Sequence, residues 1–110
     1  MKLITRLEEA ILVAILRLKD DAYGVTINGE VSSSSQKKYS MGALYFSLDQ
    51  LLRKGMVLKT VKQIYNEKGG RSRTYYTLSE MGIEALQDVR TYQRSLWKGI
   101  SEKALGEKSE

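Results

Sequence analysis

The chain has no cysteine, no histidine and no proline, and only one tryptophan and one phenylalanine in 110 residues. Losing cysteine and histidine together removes the usual zinc ligands, the thiolate nucleophile and the commonest general base at neutral pH. No paired carboxylates stand in for them, so an enzyme is not expected, and neither a metal nor a cofactor. The absence of cysteine also fits a reducing compartment, and the cytoplasm is the expected location. Long hydrophobic runs are missing as well. The one N-terminal apolar stretch, residues 10–16, falls far short of the roughly 20 residues that span a bilayer. It follows Glu8 and Glu9, which an export signal would avoid, so no membrane association is expected. No linker and no internal repeat interrupts the chain, which is long enough to bury a single core.

What the chain does have is an uneven charge. Eighteen lysines and arginines face thirteen acids, a formal +5. Residues 30–78 hold nine of the basic residues (Lys37, Lys38, Arg53, Lys54, Lys59, Lys62, Lys68, Arg71, Arg73) and only Glu30, Asp49 and Glu67 as acids. The middle therefore carries all of the excess, as a polyanion-facing surface on a near-neutral body would.

Apolar periodicity divides the chain into elements. Thr5 and Glu8 have capping-box spacing, and Leu7, Ile11, Ala14, Ile15 and Leu18 recur at helical intervals, so a first helix is expected over residues 6–18. A second begins near Tyr23 or Gly24 and should be short, because Asn28 and Gly29 are poor helix formers. Ser32, Ser33, Ser34 and Ser35 compete for backbone hydrogen bonds and read as a flexible surface segment. Ser40 then caps the clearest helix, over residues 40–54, with Met41, Leu44, Leu48, Leu51 and Leu52 on one arc. The opposite arc holds Gly42, Ala43, Phe46, Gln50 and Arg53. Two runs rich in β-branched residues and tyrosine, 56–65 and 72–78, flank a glycine-rich basic tip and read as a hairpin. Ser79 caps a final helix, which if continuous over residues 80–105 would be about 39 Å long, with Gly99 as a point of weakness where it could bend or fray early.

Three helices, a basic hairpin and a further helix follow the order of a winged helix-turn-helix: an α+β, mostly α, fold with an added C-terminal dimerisation helix. Residues 1–78 would form the DNA-binding domain and residues 79–110 the dimerisation helix and tail. The third helix would enter the major groove of double-stranded DNA while the hairpin follows the backbone. Candidate DNA contacts are Lys37, Lys38, Ser40, Gly42, Ala43, Tyr45, Phe46, Gln50, Lys68, Arg71 and Arg73. Tyr45 lies at the edge of the core arc, where packing and DNA contact are both open. The final helix carries an apolar stripe too long for so small a body, which suggests a homodimer. Leu7, Ile11, Leu86, Val89, Gln93, Leu96, Trp97 and Ile100 are the candidate interface. Tyr92, Leu96, Trp97 and Ile100 could instead line a pocket for a small planar aromatic effector. A winged helix that docks on proteins and does not bind DNA is the alternative.

Three stretches, AILVAILRLKDDAYGVTI, SMGALYFSLDQLLRKGMV and EKGGRSRTYYTLSEMG, resemble in order and spacing the PadR-like transcriptional regulators. The resemblance implies a bacterial or archaeal repressor, acting as a homodimer on a pseudo-palindromic promoter site. It matches Tyr45 to the recognition-helix tyrosine, and Arg71 and Arg73 to basic positions of the wing. The sequence departs from the family where Gln50 replaces a frequent basic residue and where Leu52 and Arg53 replace acids.

Overall fold

The computed structural model describes residues 3–66 and 68–106. Helix α1 (Arg6–Leu18) opens on the expected capping box: the Glu8 amide donates to Thr5 Oγ1 at 3.0 Å and the Thr5 amide to Glu8 Oε1 at 2.9 Å. A 3₁₀ turn (Lys19–Asp21) leads to α2 (Gly24–Ser35), and α3 (Met41–Arg53) follows behind its Ser40 cap. Strands β1 (Val57–Asn66) and β2 (Gly69–Leu78) pair antiparallel, and α4 (Glu80–Trp97) packs back against α1.

Among the described residues fifteen apolar side chains, from all four α-helices, from both strand bases and from the connecting segments, form the core. Ile11, Leu12 and Ile15 of α1 meet Ile27 and Val31 of α2 and Leu44, Leu48 and Leu51 of α3, with Met56, Val57 and Tyr76 closing the hairpin end. At about 2 kcal/mol for each large apolar side chain removed from water, this cluster orients the three helices and the wing. A third backbone segment joins the hairpin. Tyr23 bridges Tyr75, and the Tyr76 amide donates to the Ala22 carbonyl at 2.8 Å, so β2 is held on both sides at its base.

Three expectations are corrected. Helix α2 is not short, and the serine run is not a loose segment: it forms the last turn. Ser34 Oγ donates to the Glu30 carbonyl at 2.8 Å and Ser35 Oγ to that of Val31, so the hydroxyls bond back along the helix, while buried Ile27 and Val31 supply packing that outweighs propensity. The hairpin strands run further than the β-branched runs suggested. Gly69, Gly70 and Arg71 belong to β2, and the Tyr65 ring lies against Gly70 across the ladder. Glu67, in the expected loop, lies outside the described residues. Finally, α4 is not continuous to residue 105: it ends at Trp97, just before the weak point at Gly99. Gly99, with φ of +82°, reverses the chain, and a separate 3₁₀ turn (Glu102–Leu105) follows.

Candidate nucleic-acid interface

Helix α3 presents two opposite faces. Leu44, Leu48 and Leu51 are buried, while Phe46, on the far side, leaves 67% of its surface open. Gly42, Asp49 and Arg53 share that outer face, with Ala43 and Gln50 half-buried along its edge. Arg53 Nε donates to Asp49 Oδ2 at 2.9 Å, so the outer face carries no net charge. Ser40 Oγ accepts the Ala43 amide at 3.1 Å, which makes Ser40 a cap first and leaves it exposed at the helix entrance.

Gly42 has no structural need to be glycine. A Cβ built there finds nothing nearer than Ser40 Oγ at 3.9 Å, and glycine weakens a helix by up to about 1 kcal/mol. Gly42→Ala is therefore expected to raise stability by roughly 0.5 kcal/mol in a denaturant titration. The same substitution should weaken whatever binds closely to this face, and unchanged binding would show that the face makes no close contact.

Beside α3 the wing base forms a cation and aromatic cluster that sequence reasoning missed. The Arg73 guanidinium lies 4.1 Å from the centre of the Tyr23 ring, and Lys62 Nζ lies 4.7 Å from that of Tyr75. The two tyrosines meet edge to face at 5.5 Å. The Tyr75 hydroxyl, accepting from Arg73 Nη1 at 3.5 Å, and then the neighbouring tyrosines push the arginine pKa above its usual value, so Arg73 stays charged. Tyr23, on the turn before α2, and Tyr75, fifty-two positions later, meet only because of the bridge at β2, and no local pattern announces that. Arg71, Arg73 and Tyr45 also line a 350 Å³ cleft with Gly24 and Val25 at the start of α2. The Tyr45 hydroxyl lies directly over Gly24, so this side chain packs between α3 and α2 with its ring edge still exposed. Burial raises the Tyr76 pKa on the inner wall of the cleft and keeps that phenol neutral.

The remaining expected contacts are dispersed. Lys68 is exposed at the wing tip and Lys38 before α3. Lys37 lies 5.1 Å from the centre of the Tyr39 ring and lines a different cleft, between α1 and α2, with Arg6 and Arg17. Lys54, counted in the basic middle of the chain but not among the expected contacts, points inward, where its Nζ donates to Glu8 Oε2 at 2.7 Å.

A separate groove of 680 Å³ lies between α1 and α4, lined mainly by Val13, Leu16, Ile83, Leu86 and Trp97, with Glu9, Arg90 and Arg94 at its margins. Leu86, Gln93 and Trp97 of the expected interface are there, and Leu7 is half-buried. Ile11 and Val89 are corrected: they are enclosed in the protomer itself, Ile11 with no accessible surface, and have nothing left to offer a partner. Val13 and Leu16 were overlooked, although with Glu9 they make a second stripe on α1. Of the expected effector residues only Trp97 lines the groove. Tyr92 and Leu96 are exposed on the face that continues Ala85 and Val89 beyond the body, and Ile100 falls past the end of the helix.

The family model for "Transcriptional regulator PadR-like family" matches residues 11–88. The chain belongs to the PadR-like family. That makes it a DNA-binding transcriptional regulator and not an enzyme, and its four helices with a two-stranded wing are the PadR-like winged-helix fold. The complex structure of hsRosR-S1 is 26% identical over 87% of this chain and 78% of its own, with a TM-score of 0.64. A PadR family transcription regulator from hypervirulent Clostridium difficile is 22% identical, covering 90% of this chain and 98% of its own, at a TM-score of 0.66. Bordetella bronchiseptica BpsR, described through regulation of its DNA binding by 6-hydroxynicotinic acid, shares the fold at 10% identity and a TM-score of 0.59, over 94% of this chain and 72% of its own. No curated protein matches the chain. In this PadR-like chain the family match takes in α2, α3, the wing and the first half of α4, and stops before Trp97. Among the described residues no helix is long and apolar enough to cross a membrane.

Proposed function

We propose that this PadR-like protein is a homodimeric repressor that occupies a pseudo-palindromic promoter site in the cytoplasm. The observation that carries this reading is the placement of two unlike surfaces. The outer face of α3 adjoins the Arg71 and Arg73 wing on one side of the protomer, and an apolar groove lies uncovered between α1 and α4. Small and apolar groups on a recognition helix suit base edges, while phosphates, met by the wing and by the amides at the start of α2, supply most of the affinity. Gel-shift and anisotropy titrations against DNA from upstream of its own and neighbouring genes test the reading. A fragment bound at two half-sites about one helical turn apart supports it. Failure on all of them, with a protein partner captured on the wing face, favours the docking-module alternative.

Three features support the dimer. The protomer measures 58 × 35 × 22 Å with a radius of gyration of 16.9 Å, against about 13 Å for a compact chain of this length. Its accessible surface is 8153 Å², where a compact monomer of this mass exposes about 6,200 Å². Helix α4 is acidic in its first half (Glu80, Glu84, Asp88) and basic in its second (Arg90, Arg94, with Lys98 beyond), so two copies running antiparallel about a two-fold axis would set opposite charges together. Trp97, half exposed on the groove, would then be covered. Trp97→Glu is expected to convert a dimer to a monomer in sedimentation. A monomeric wild type, or a dimeric variant, would remove α4 from the interface.

The groove also suits a planar aromatic effector stacked on Trp97, which would change the spacing of the two recognition helices and release DNA. Saturable quenching of Trp97 fluorescence, accompanied by weaker DNA binding, is the expected signature.

A further inference from the structure

We propose that the recognition helix selects A·T base pairs, through Gln50 on adenine and through Phe46 and Ala43 on thymine methyl groups. The inference rests on the DNA-binding reading and adds the sequence class that the protein prefers. The major groove displays guanine as two acceptors, read best by arginine or lysine, and cytosine as a donor, read by a carboxylate. On the outer face of α3 the only cation is Arg53 and the only carboxylate is Asp49, and the two are bonded to each other at 2.9 Å. Arg53 also stands in the last turn, about 10 Å along the axis from Phe46, whereas the N-terminal part of such a helix goes deepest into the groove. Lys54, next in sequence, is turned away to Glu8.

With Met41 and Tyr45 exposed on the flank towards the core arc, the outer face over the first three turns is left with exposed Gly42 and Phe46 and with half-buried Ala43 and Gln50 along its edge. A primary amide matches the N6 donor and N7 acceptor of adenine, and apolar groups match the thymine 5-methyl. Phe46 has the exposure for such a contact, since two-thirds of its surface has no cover within the protomer. Gly42 provides the close approach that its own fold does not require. From Ala43 to Gln50 the helix rises about 10 Å, enough to pass three base pairs of each half-site.

The test is selection from a randomised duplex pool with the full-length protein, followed by base replacement in the selected site. The expected half-site core is A·T. Replacing its thymines with uracil removes only the methyl groups and should weaken binding about threefold to fourfold at each contacted position. Phe46→Ala should remove that discrimination at one position, and Gln50→Ala should reduce the preference for adenine over guanine about tenfold at another. Thermal melts of the two variants verify folding, and the uracil arm needs no variant. A guanine selected in the half-site core and lost in Arg53→Ala would overturn the proposal while leaving sequence-specific DNA binding in place. So would tight binding with no sequence preference. Failure to bind any duplex would overturn the DNA-binding reading and this proposal with it.

Discussion

Lys54→Met is expected to destabilise the protein by about 3 kcal/mol, the low end of what breaking a buried ion pair costs. Glu8 is almost wholly buried, yet both carboxylate oxygens are in use: Oε1 accepts the Thr5 amide of the capping box and Oε2 accepts Lys54 Nζ. Removing the lysine leaves the carboxylate buried with only the capping contact. The lysine itself is 36% exposed, so water reaches its end of the bridge and holds the penalty at that low end. For a domain of this size the loss corresponds to a fall in melting temperature of roughly 10–20 °C. The double variant Glu8→Gln with Lys54→Met should recover most of it, because glutamine keeps the capping bond without a charge and methionine fills the same space. A single variant within a few degrees of wild type would show that the pair contributes little. The contact matters for function because it ties the first turn of α1, whose outer side faces the groove, to the residue that ends α3.

That pair also shows where the sequence stops being legible. Thr5 and Glu8 announce the start of α1, Ser40 the start of α3 and Ser79 the start of α4, because caps are local chemistry written within three residues. All three helices begin where the spacing places them. Lys54 lies forty-six positions from Glu8, and its composition alone assigns it to the basic surface, whereas the fold turns it inward. The same limit hides Tyr23 beneath Arg73. It also assigns Ile11 to a dimer surface when α2 and α3 already enclose it, since a helical stripe records that a face is apolar and not which neighbour covers it. The ends of α2 and α4 were not legible in the local pattern, for opposite reasons. Packing of Ile27 and Val31 carries α2 through residues of low propensity, whereas residues 91–97 bury no side chain within the protomer and give α4 little to carry it past Gly99.

With both wing arginines removed, Arg71→Ala with Arg73→Ala, affinity for every duplex should fall by roughly fiftyfold at 0.1 M salt. Each phosphate contact releases about 0.9 of a counterion, worth about 1.2 kcal/mol at that concentration, and two contacts double it. The slope of log affinity against log salt should flatten by about two, and the loss should be nearly equal for cognate and unrelated sequences, because phosphates carry no sequence information. The two residues are not equivalent. Arg71 is exposed and free to follow the backbone, whereas Arg73 is held over the Tyr23 ring and bonded to Tyr75, so less freedom is lost when it meets a phosphate. Tyr23→Leu should therefore reproduce part of the Arg73→Ala loss in affinity while leaving the salt slope unchanged, since it removes the support and keeps the charge. A salt slope unaffected by the double substitution would place the wing away from the phosphates, and DNA binding would then have to rest on α3 and the start of α2 alone.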